Sequence, residues 1–317
     1  MANVIKIKKG LDINLKGKAS DVLLNGGKSE SYAIVPDYYN GIVPKVVAKV
    51  GEKVKAGSVL MIDKNRPEIK FVSPVSGEVT AVNRGEKRKV LSIVVKPDAQ
   101  IEYEEFGKKN VASLQGAEVK EVLLNAGMWP FIKQRPYDIV AAPLDIVKGQ
   151  EADFQTGLNA LAKLTNGKVY VGVRSGSVVS GMKGVEIVEV EGPHPAANVG
   201  VQINHIKPVN KGEVVWTVNP ADVIVIGRLF NKGVADFSRM VAITGSETTE
   251  RGYVKTISGC TIKSLVNGKV LGQEHIRIIS GNVLTGTKVN MDGYLGAYDN
   301  QITVIPEGDE THEFLGF

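Results

Sequence analysis

Apolar and polar residues alternate through two related stretches of the chain, Lys45 to Ile62 and Glu78 to Val95. Each stretch contains the tripeptide Gly-Glu-Lys, starting at Gly51 and at Gly85, between two alternating runs. Alternation with a period of two indicates strands that bury one face, and glycine beside charged residues indicates turns. The pattern therefore predicts an internal repeat within residues 41–97 that wraps into a small two-sheet sandwich.

Beyond about Ala99 the pattern changes to helices that alternate with strands. Apolar residues recur at helical spacing before Gly127, and a second helical pattern begins at a potential N-cap, Asp153. This alternation predicts an α/β layer with a partly parallel sheet. The predicted elements are helices over 119–126 and 153–166, and strands over 137–145, 168–173, 185–190 and 223–226.

The section after about Ser238 is richer in strand signals. It predicts a strand, a turn and a strand over 239–257, a short helix from Thr261 to Val266, and further strand over 276–289. This order fits a small β-grasp unit. The chain stops on the apolar segment His312 to Phe317 without a helix or strand stop signal. We therefore expect a longer parent protein that was cut at a domain boundary.

Composition narrows the class of protein. The chain has 317 residues, of which 43% are hydrophobic and 23% charged, which is typical of a soluble globular protein with two or three domains. No apolar run approaches the roughly 20 residues that a membrane span needs. The N-terminus lacks the apolar core of a signal peptide, and a cytoplasmic location fits. The single cysteine, Cys260, excludes an internal disulfide and a four-cysteine metal site, and we expect it to be a buried thiol.

The net charge of +5 raises the question of an acidic partner. Basic residues cluster at Lys6 to Lys9 and at Arg84 to Lys89. Neither cluster is interleaved with aromatic residues that would stack on bases, so we expect no nucleic-acid partner. We interpret these clusters first as solvent-exposed surface without a specific partner. The alternative is that they dock to a partner protein or to a membrane.

A glycine-rich segment, Gly172 to Gly184, follows a predicted strand but lacks the G-x-G-x-x-G dinucleotide pattern. Gly176 and Gly181 have the spacing of a phosphate-binding loop, but Met182 occupies the lysine position. A flexible loop is the preferred interpretation, and a degraded anion site is the alternative. The histidines lack metal-ligand spacing, so we expect structural or surface roles and no metal site; they are His194, His205, His275 and His312.

Aromatic and cationic residues are densest in the segment Gly127 to Asp138. Trp129 and Phe131 offer flat faces for stacking, and Lys133 and Arg135 offer cations that can bond to a carbonyl or semiquinone oxygen. One interpretation is that the aromatic residues fill an inter-domain core. The other is a site for an aromatic ligand such as quinone.

The segment from Gly41 to Val82 resembles the lipoyl/biotinyl-carrier fold, with Lys64 where a carrier domain presents its modified lysine. The loop from Lys64 to Pro74 is longer than in such carriers, and Pro67 lacks a ladder donor. The Met-Lys-Met of biotin carriers is also absent. We therefore expect the scaffold without modification of Lys64. A carrier modified at Lys64 and a soluble dinucleotide-dependent oxidoreductase remain alternative functions.

Several stretches together resemble one family, the A subunit of the Na⁺-translocating NADH:quinone oxidoreductase. The resemblance implies a peripheral subunit on the cytoplasmic face of the inner membrane, in a complex that passes electrons from NADH to quinone and pumps sodium. It also implies no catalytic residue and no redox cofactor on this chain, with NAD and FMN on other subunits. The membrane quinone-reductase subunit is the chief expected partner, and quinone is a candidate ligand. The stretches are Ile5 to Ile13, Gly127 to Asp138, Val190 to Val209, Val215 to Phe230, and Arg277 to Gly286 with Tyr294 to Phe317.

The resemblance also implies an architecture. It predicts an α/β multidomain chain with a lipoyl/biotinyl-carrier-like sandwich, a Rossmann-like domain similar to the NADH-binding subunit of complex I, and a β-grasp domain of the SLBB type. A further C-terminal domain is expected to be missing. The quinone-side candidates are Trp129, Phe131, Lys133 and Arg135. The stretch from His194 to His205 departs from the family pattern, so no histidine role is transferred. The predicted domains are residues 1–30, 31–98, 99–236 and 237–317.

Overall fold

The fold comes from a computed structural model that describes residues 3–135, 151–272 and 274–309. The strand predicted over 137–145, the apolar ending and His312 lie outside the described residues.

The chain begins with an extended segment that crosses two units of the structure. Strand β1 (Asn3–Lys6) and strand β2 (Leu23–Leu24) lie at its two ends. Between them, few long side chains are covered, and backbone hydrogen bonds hold the segment to the rest of the chain, for example from Gly245 N to Gly17 O at 2.8 Å.

The predicted sandwich follows and consists of two antiparallel sheets, with strand orders β3-β9-β8-β5 and β4-β6-β7. The first half of the sequence repeat supplies β4, β5 and β6, and the second supplies β8 and β9, so the predicted two-sheet sandwich is confirmed. Leu60, Ile93 and Val95 are fully buried between the sheets. The strands are β3 (Tyr32–Ile34), β4 (Pro44–Val46), β5 (Lys53–Val54), β6 (Val59–Asp63), β7 (Lys70–Val72), β8 (Gly77–Arg84) and β9 (Val90–Pro97).

The second unit is the predicted α/β layer. Its parallel sheet has the order β1-β12-β11, so the first strand of the chain completes it, and β10 pairs with β13 in a separate antiparallel ribbon. The elements are α1 (Gly116–Asn125), β10 (Lys133–Arg135), α2 (Glu151–Ala162), β11 (Tyr170–Val173), β12 (Glu186–Glu191), α3 (Val199–Ile206), β13 (Val215–Thr217) and α4 (Pro220–Lys232).

The strand predicted over 223–226 is wrong, because these residues lie in the middle of α4. Every residue from Ala221 to Phe230 is buried, so this part of the helix has no solvent-exposed face. A short run of β-branched residues is therefore ambiguous between strand and helix. The ends carry the helix signals: Pro220 occupies the first turn, and Gly233 ends the helix at φ +78°.

Helix α4 packs closely on α2 because glycines remove side chains at the contact. A Cβ atom on Gly227 would lie 1.7 Å from the Asp153 carbonyl oxygen, and one on Gly157 would lie 2.1 Å from the Val223 carbonyl oxygen. Phe154 and Leu158 fill the rest of this contact and are almost completely buried. The two helices therefore approach backbone to backbone.

The third unit is a six-stranded mixed sheet with the order β17-β16-β18-β14-β15-β2. Its inner face shares one continuous core with the sandwich, in which Val241, Ile243 and Leu265 contact the same cluster as Tyr32 and Val95. The elements are β14 (Ser238–Thr244), β15 (Gly252–Ile257), α5 (Ile262–Val266), β16 (Ile276–Ser280), β17 (Thr287–Val289) and β18 (Gln301–Pro306). Among the helices of the described residues, none is long and apolar enough to cross a membrane.

We expect Gly227→Ala to lower the free energy of unfolding by about 1–3 kcal/mol, since overpacking against Asp153 forces α2 and α4 apart. Gly181→Ala is the control, because its new Cβ would meet no atom within 4 Å. The control should change the free energy by about 0.5 kcal/mol or less. Urea unfolding of both variants checks this. Equal unfolding midpoints for Gly227→Ala and Gly181→Ala would show that α2 and α4 tolerate an added side chain at their contact.

Candidate functional site

The three units meet around one small cavity. The sandwich contributes residues 33–39 and 71–74, the α/β unit contributes 127–131, and the third unit contributes residues between 237 and 297. The cavity volume is about 40 Å³, which is room for one or two water molecules. Five of its sixteen lining residues are aromatic, namely Tyr38, Tyr39, Phe71, Phe131 and Phe237. It is therefore an apolar, aromatic junction between units.

The end of α1 positions Phe131 at this junction. Gly127 follows the helix at φ +67°, and a Cβ atom there would lie 2.5 Å from the Val72 side chain of the sandwich. The chain then makes a short 3₁₀ turn, Trp129–Phe131, that starts beside Pro130. This turn directs Phe131 inward, where it is buried and contacts Phe237 at 6.1 Å between ring centroids.

The four predicted quinone-side residues do not all converge on the cavity. Phe131 lines it, whereas Trp129 stacks edge to face on Trp216 at 5.6 Å. Lys133 places its Nζ atom 3.6 Å from the centre of the Tyr298 ring. Arg135 is buried beside α3. Its Nη1 atom lies 4.0 Å from the position that a Cβ atom on Gly200, in the first turn of α3, would occupy. Only Phe131 therefore faces the cavity directly.

An aromatic series that sequence patterns did not indicate extends from Lys133 to the cavity. The ring of Tyr298 lies 5.7 Å from the ring of Tyr39, which in turn lies 4.7 Å from that of Phe71. The Tyr298 hydroxyl donates to the Pro130 carbonyl at 2.7 Å. These residues come from three separated segments, so the sequence gives no local signal that they meet.

A buried ion pair lies behind the cavity wall and joins the α/β unit to the third unit. Arg239 Nη2 on β14 donates to Asp222 Oδ1 on α4 at 3.1 Å, and both side chains are almost completely buried. Asn219 also donates to Asp222 Oδ2 at 3.3 Å. Arg239 Nη1 donates to the Ala297 carbonyl, while its Nε atom has no hydrogen-bond acceptor among the described residues.

Burial affects the protonation of several groups in this region. It raises the pKa of Asp222 from 3.8 to about 6, although the positive charges of Arg239 and Lys133 act in the opposite direction. Burial also raises the pKa of Asp299, whose carboxylate accepts from the Ser280 hydroxyl at 2.7 Å. The phenol of Tyr39 has a pKa raised by burial. The junction is therefore a low-dielectric region that contains paired charges.

Lys64 lies exposed just after β6, at the start of a loop that ends where β7 begins at Lys70. Asp63 is completely buried and fixes this loop, since its carboxylate accepts from Val43 N, Asn65 N and Arg66 Nε. The absence of modification at Lys64 stays a prediction.

The glycine-rich loop after β11 uses its own amides internally. Ser177 N, Ser180 N and Met182 N donate to carbonyls three residues earlier, and Lys183 N donates to the Gln155 side chain at 2.8 Å. A phosphate-binding loop instead leaves such amides for the anion. This arrangement favours the structural interpretation over an anion site.

Other candidate groups have ordinary structural positions. Cys260 is completely buried, as predicted, and burial raises the pKa of its thiol, so it is not activated as a nucleophile. His194 and His205 are exposed, and His275 pairs with Asp309 at 2.9 Å. Within residues 3–135, 151–272 and 274–309, no group of three or more metal-ligating side chains occurs.

Family models match along most of the chain. The "NqrA N-terminal barrel-sandwich hybrid domain" matches residues 5–98, and the "NqrA second alpha/beta domain" matches residues 114–146 and 141–235. The "NQRA C-terminal domain", an SLBB model, matches residues 240–291. The three matches follow the order of the sandwich, the α/β unit and the third unit.

Similar proteins are each named as the A subunit of a Na(+)-translocating NADH-quinone reductase. The protein from Neisseria meningitidis serogroup A is 34% identical over 340 residues, which cover 99% of this chain and 76% of the relative. The protein from Hahella chejuensis is 35% identical over 341 residues, with the same two coverages. The protein from Yersinia pseudotuberculosis is 34% identical over 337 residues, which cover 98% and 75%.

The buried pair between Asp222 and Arg239 predicts both a stability loss and a pH dependence. At pH 7, Asp222→Ala should lower the free energy of unfolding by about 3–5 kcal/mol, because Arg239 and Asn219 lose the buried side chain that accepts from both of them. Between pH 3.8 and about 6, the native Asp222 carboxyl binds a proton that the unfolded carboxyl does not. Lowering the pH from 7 to 5 therefore stabilises the wild type relative to the variant, and the difference between them grows.

Urea unfolding at both pH values measures this difference. Asp37→Ala is the matched control, since its carboxylate is exposed and pairs with Lys89 at 2.6 Å. The control should cost about 0–1 kcal/mol. The interpretation is rejected by a cost for Asp222→Ala no larger than that of the control, or by a difference that shrinks at pH 5.

Proposed function

Because this chain belongs to the NqrA family, the A subunit of the Na⁺-translocating NADH-quinone reductase, we propose that it acts as a peripheral subunit of such a complex. The observation that carries this proposal is the identity of 34–35% over 98–99% of the chain, together with family models for all three units. The relatives are subunits of a multi-subunit enzyme, so other subunits are the partners.

The subunit lies on the cytoplasmic face of the membrane, next to the membrane quinone-reductase subunit. A reducing compartment suits its one free cysteine. The division into residues 1–30, 31–98, 99–236 and 237–317 is part of the same proposal, and the order of the sandwich, the α/β unit and the third unit supports it.

The chain serves as a scaffold without a redox cofactor of its own, and NAD and FMN are bound by other subunits. Two observations support this part of the proposal. The loop that follows β11 uses its amides internally, and the only cysteine is buried within the core shared by two units. A dinucleotide would need free amides at that position.

The cavity where the three units meet marks the part of the subunit that contacts quinone. Phe131 supplies an aromatic wall, and Lys133 supplies a cation one ring away, over Tyr298. Its volume of about 40 Å³ is smaller than the roughly 150 Å³ that accommodates benzene, so the side chains of the cavity wall must rearrange before a quinone ring can enter. Trp129 and Arg135 support this surface from outside the cavity wall.

We expect the tagged chain, expressed together with the remaining subunits, to copurify from detergent-solubilised membranes with NADH-dependent quinone reductase activity. Expression without the other subunits is the control and should give no such activity. Failure of the chain to retain any membrane quinone reductase would contradict its role in the complex.

We expect a photoreactive quinone analogue to label the segment 127–131 in the assembled complex, because residues of this segment line the cavity. Phe131→Leu and Phe131→Ala should both reduce the label, the second by about fivefold, as the aromatic contact is worth roughly 1 kcal/mol. Tyr170→Ala, an exposed residue that does not line the cavity, is the control. Labelling that is unchanged in both Phe131 variants would remove quinone contact from this site while leaving the subunit role intact.

A further inference from the structure

The extended segment from Lys6 to Lys28, here called the N-terminal strap, carries an unusual share of exposed apolar side chains. The described residues include sixteen large apolar side chains that are exposed, and five of them lie in this segment of 23 residues. Leu11 is 78% exposed and Leu23 is 70% exposed. Single exposed apolar residues are ordinary, but a concentration of them marks an interaction surface. The five are Leu11, Ile13, Leu15, Val22 and Leu23.

The strap is held in place, so this exposure is a property of the fold. Ile7 N donates to Glu191 O and Leu11 N to His194 O, which attaches its first part to the α/β unit. Its later part is attached to the third unit, where β2 pairs with β15 and Gly27 N donates to Ser264 O. The backbone is bonded along its length while the apolar side chains stay uncovered.

The first three apolar residues are exposed close together on the strap. Leu11 is 78% exposed, Ile13 50% and Leu15 49%. Local hydrogen bonds hold the backbone at this place, since the Asp12 carboxylate accepts from His194 N at 2.8 Å and Leu15 N donates to Ile13 O at 2.9 Å. The three apolar side chains therefore stay uncovered where the backbone is attached.

The same segment has a high net positive charge. It contains six lysines and two aspartates, a net charge of +4, compared with +5 for the entire chain. Its cations are all lysines, whereas protein interfaces are enriched in arginine and depleted of lysine. Lysine stems can lie along an apolar surface while the ammonium groups reach phosphates. The combination is typical of a segment that lies at an anionic lipid surface.

We propose that the N-terminal strap docks on an anionic phospholipid surface, with Leu11, Ile13 and Leu15 entering the headgroup layer and the lysines contacting lipid phosphates. A sodium-translocating complex works across a membrane, so a peripheral subunit of it lies within reach of such a surface. The docking goes beyond the subunit role, and the contact with lipid does not depend on any site for quinone.

Vesicle sedimentation of the full chain tests the proposal. The wild type should bind vesicles that contain phosphatidylglycerol at least about tenfold more tightly than phosphatidylcholine vesicles, and high salt should remove the difference. Two strap variants should each lose about tenfold or more of this binding. They are Leu11→Ser/Ile13→Ser/Leu15→Ser and Lys8→Gln/Lys9→Gln/Lys16→Gln/Lys18→Gln.

Matched controls carry the same changes at exposed positions elsewhere. The apolar control is Val178→Ser/Leu271→Ser/Leu284→Ser, and the charge control, on the sandwich, is Lys45→Gln/Lys49→Gln/Lys55→Gln/Lys64→Gln. Both should bind as the wild type does. The proposal is overturned if the strap variants and their controls bind equally, or if the wild type prefers neither vesicle.

A fluorescent label gives a second readout that does not depend on affinity. Cys260 is completely buried, so a cysteine introduced by Ile13→Cys can be labelled selectively with an environment-sensitive dye. Anionic vesicles should shift its emission to the blue, while the same dye at Leu284→Cys should not respond. If the chain copurifies with the complex but the Ile13 probe never responds to lipid, the lipid proposal is wrong and the subunit role is unaffected.

Discussion

The buried pair between Asp222 and Arg239 fixes how the α/β unit and the third unit sit against each other, and the candidate site depends on that placement. The pair joins the first turn of α4 to β14, and the same arginine donates to the Ala297 carbonyl in the cavity wall. An ion pair removed from water is stabilising only when its geometry and remaining hydrogen bonds are nearly complete. A shift between the two units would break that geometry, so the aromatic wall formed by Phe131, Phe237 and Tyr39 is held in place through polar contacts behind it.

The sequence predicted those parts of the fold whose signals are local. Alternation gave the sandwich and the strands of the third unit, and helical spacing gave α1, because each of these elements has one buried and one solvated face. Helix α4 was missed since it is buried on all sides, between α2 and the third unit, and its run from Val223 to Ile226 has no polar period. The residues at its ends, Pro220 and Gly233, were the better evidence for a helix. Residue preferences at helix ends do not depend on which faces of the helix are buried.

The candidate site shows the same difference between local and distant information. The aromatic and cationic segment from Trp129 to Arg135 is visible in sequence, yet the fold sends its side chains to four neighbourhoods, on Trp216, Phe237, Tyr298 and α3. The 3₁₀ turn that contains Pro130 separates the directions of Trp129 and Phe131, so spacing alone does not make them one site. Tyr39, Asp222 and Tyr298 could not be predicted as members because they join only through contacts between units.

The N-terminal strap separates the roles of backbone and side chains. Its amides and carbonyls complete the sheets of two units, through β1 beside β12 and β2 beside β15. An edge strand satisfied in this way needs few side-chain contacts, since register is set by the ladder and by close approaches such as Gly17 on Gly245. The side chains are thus free of any folding requirement. Apolar residues at these positions gain nothing from the isolated fold, because burying a leucine is worth about 1.5–3 kcal/mol only where water is excluded. Their presence beside six lysines is accounted for by a surface outside the chain that has an anionic outer layer and an apolar interior. A phospholipid membrane has this arrangement.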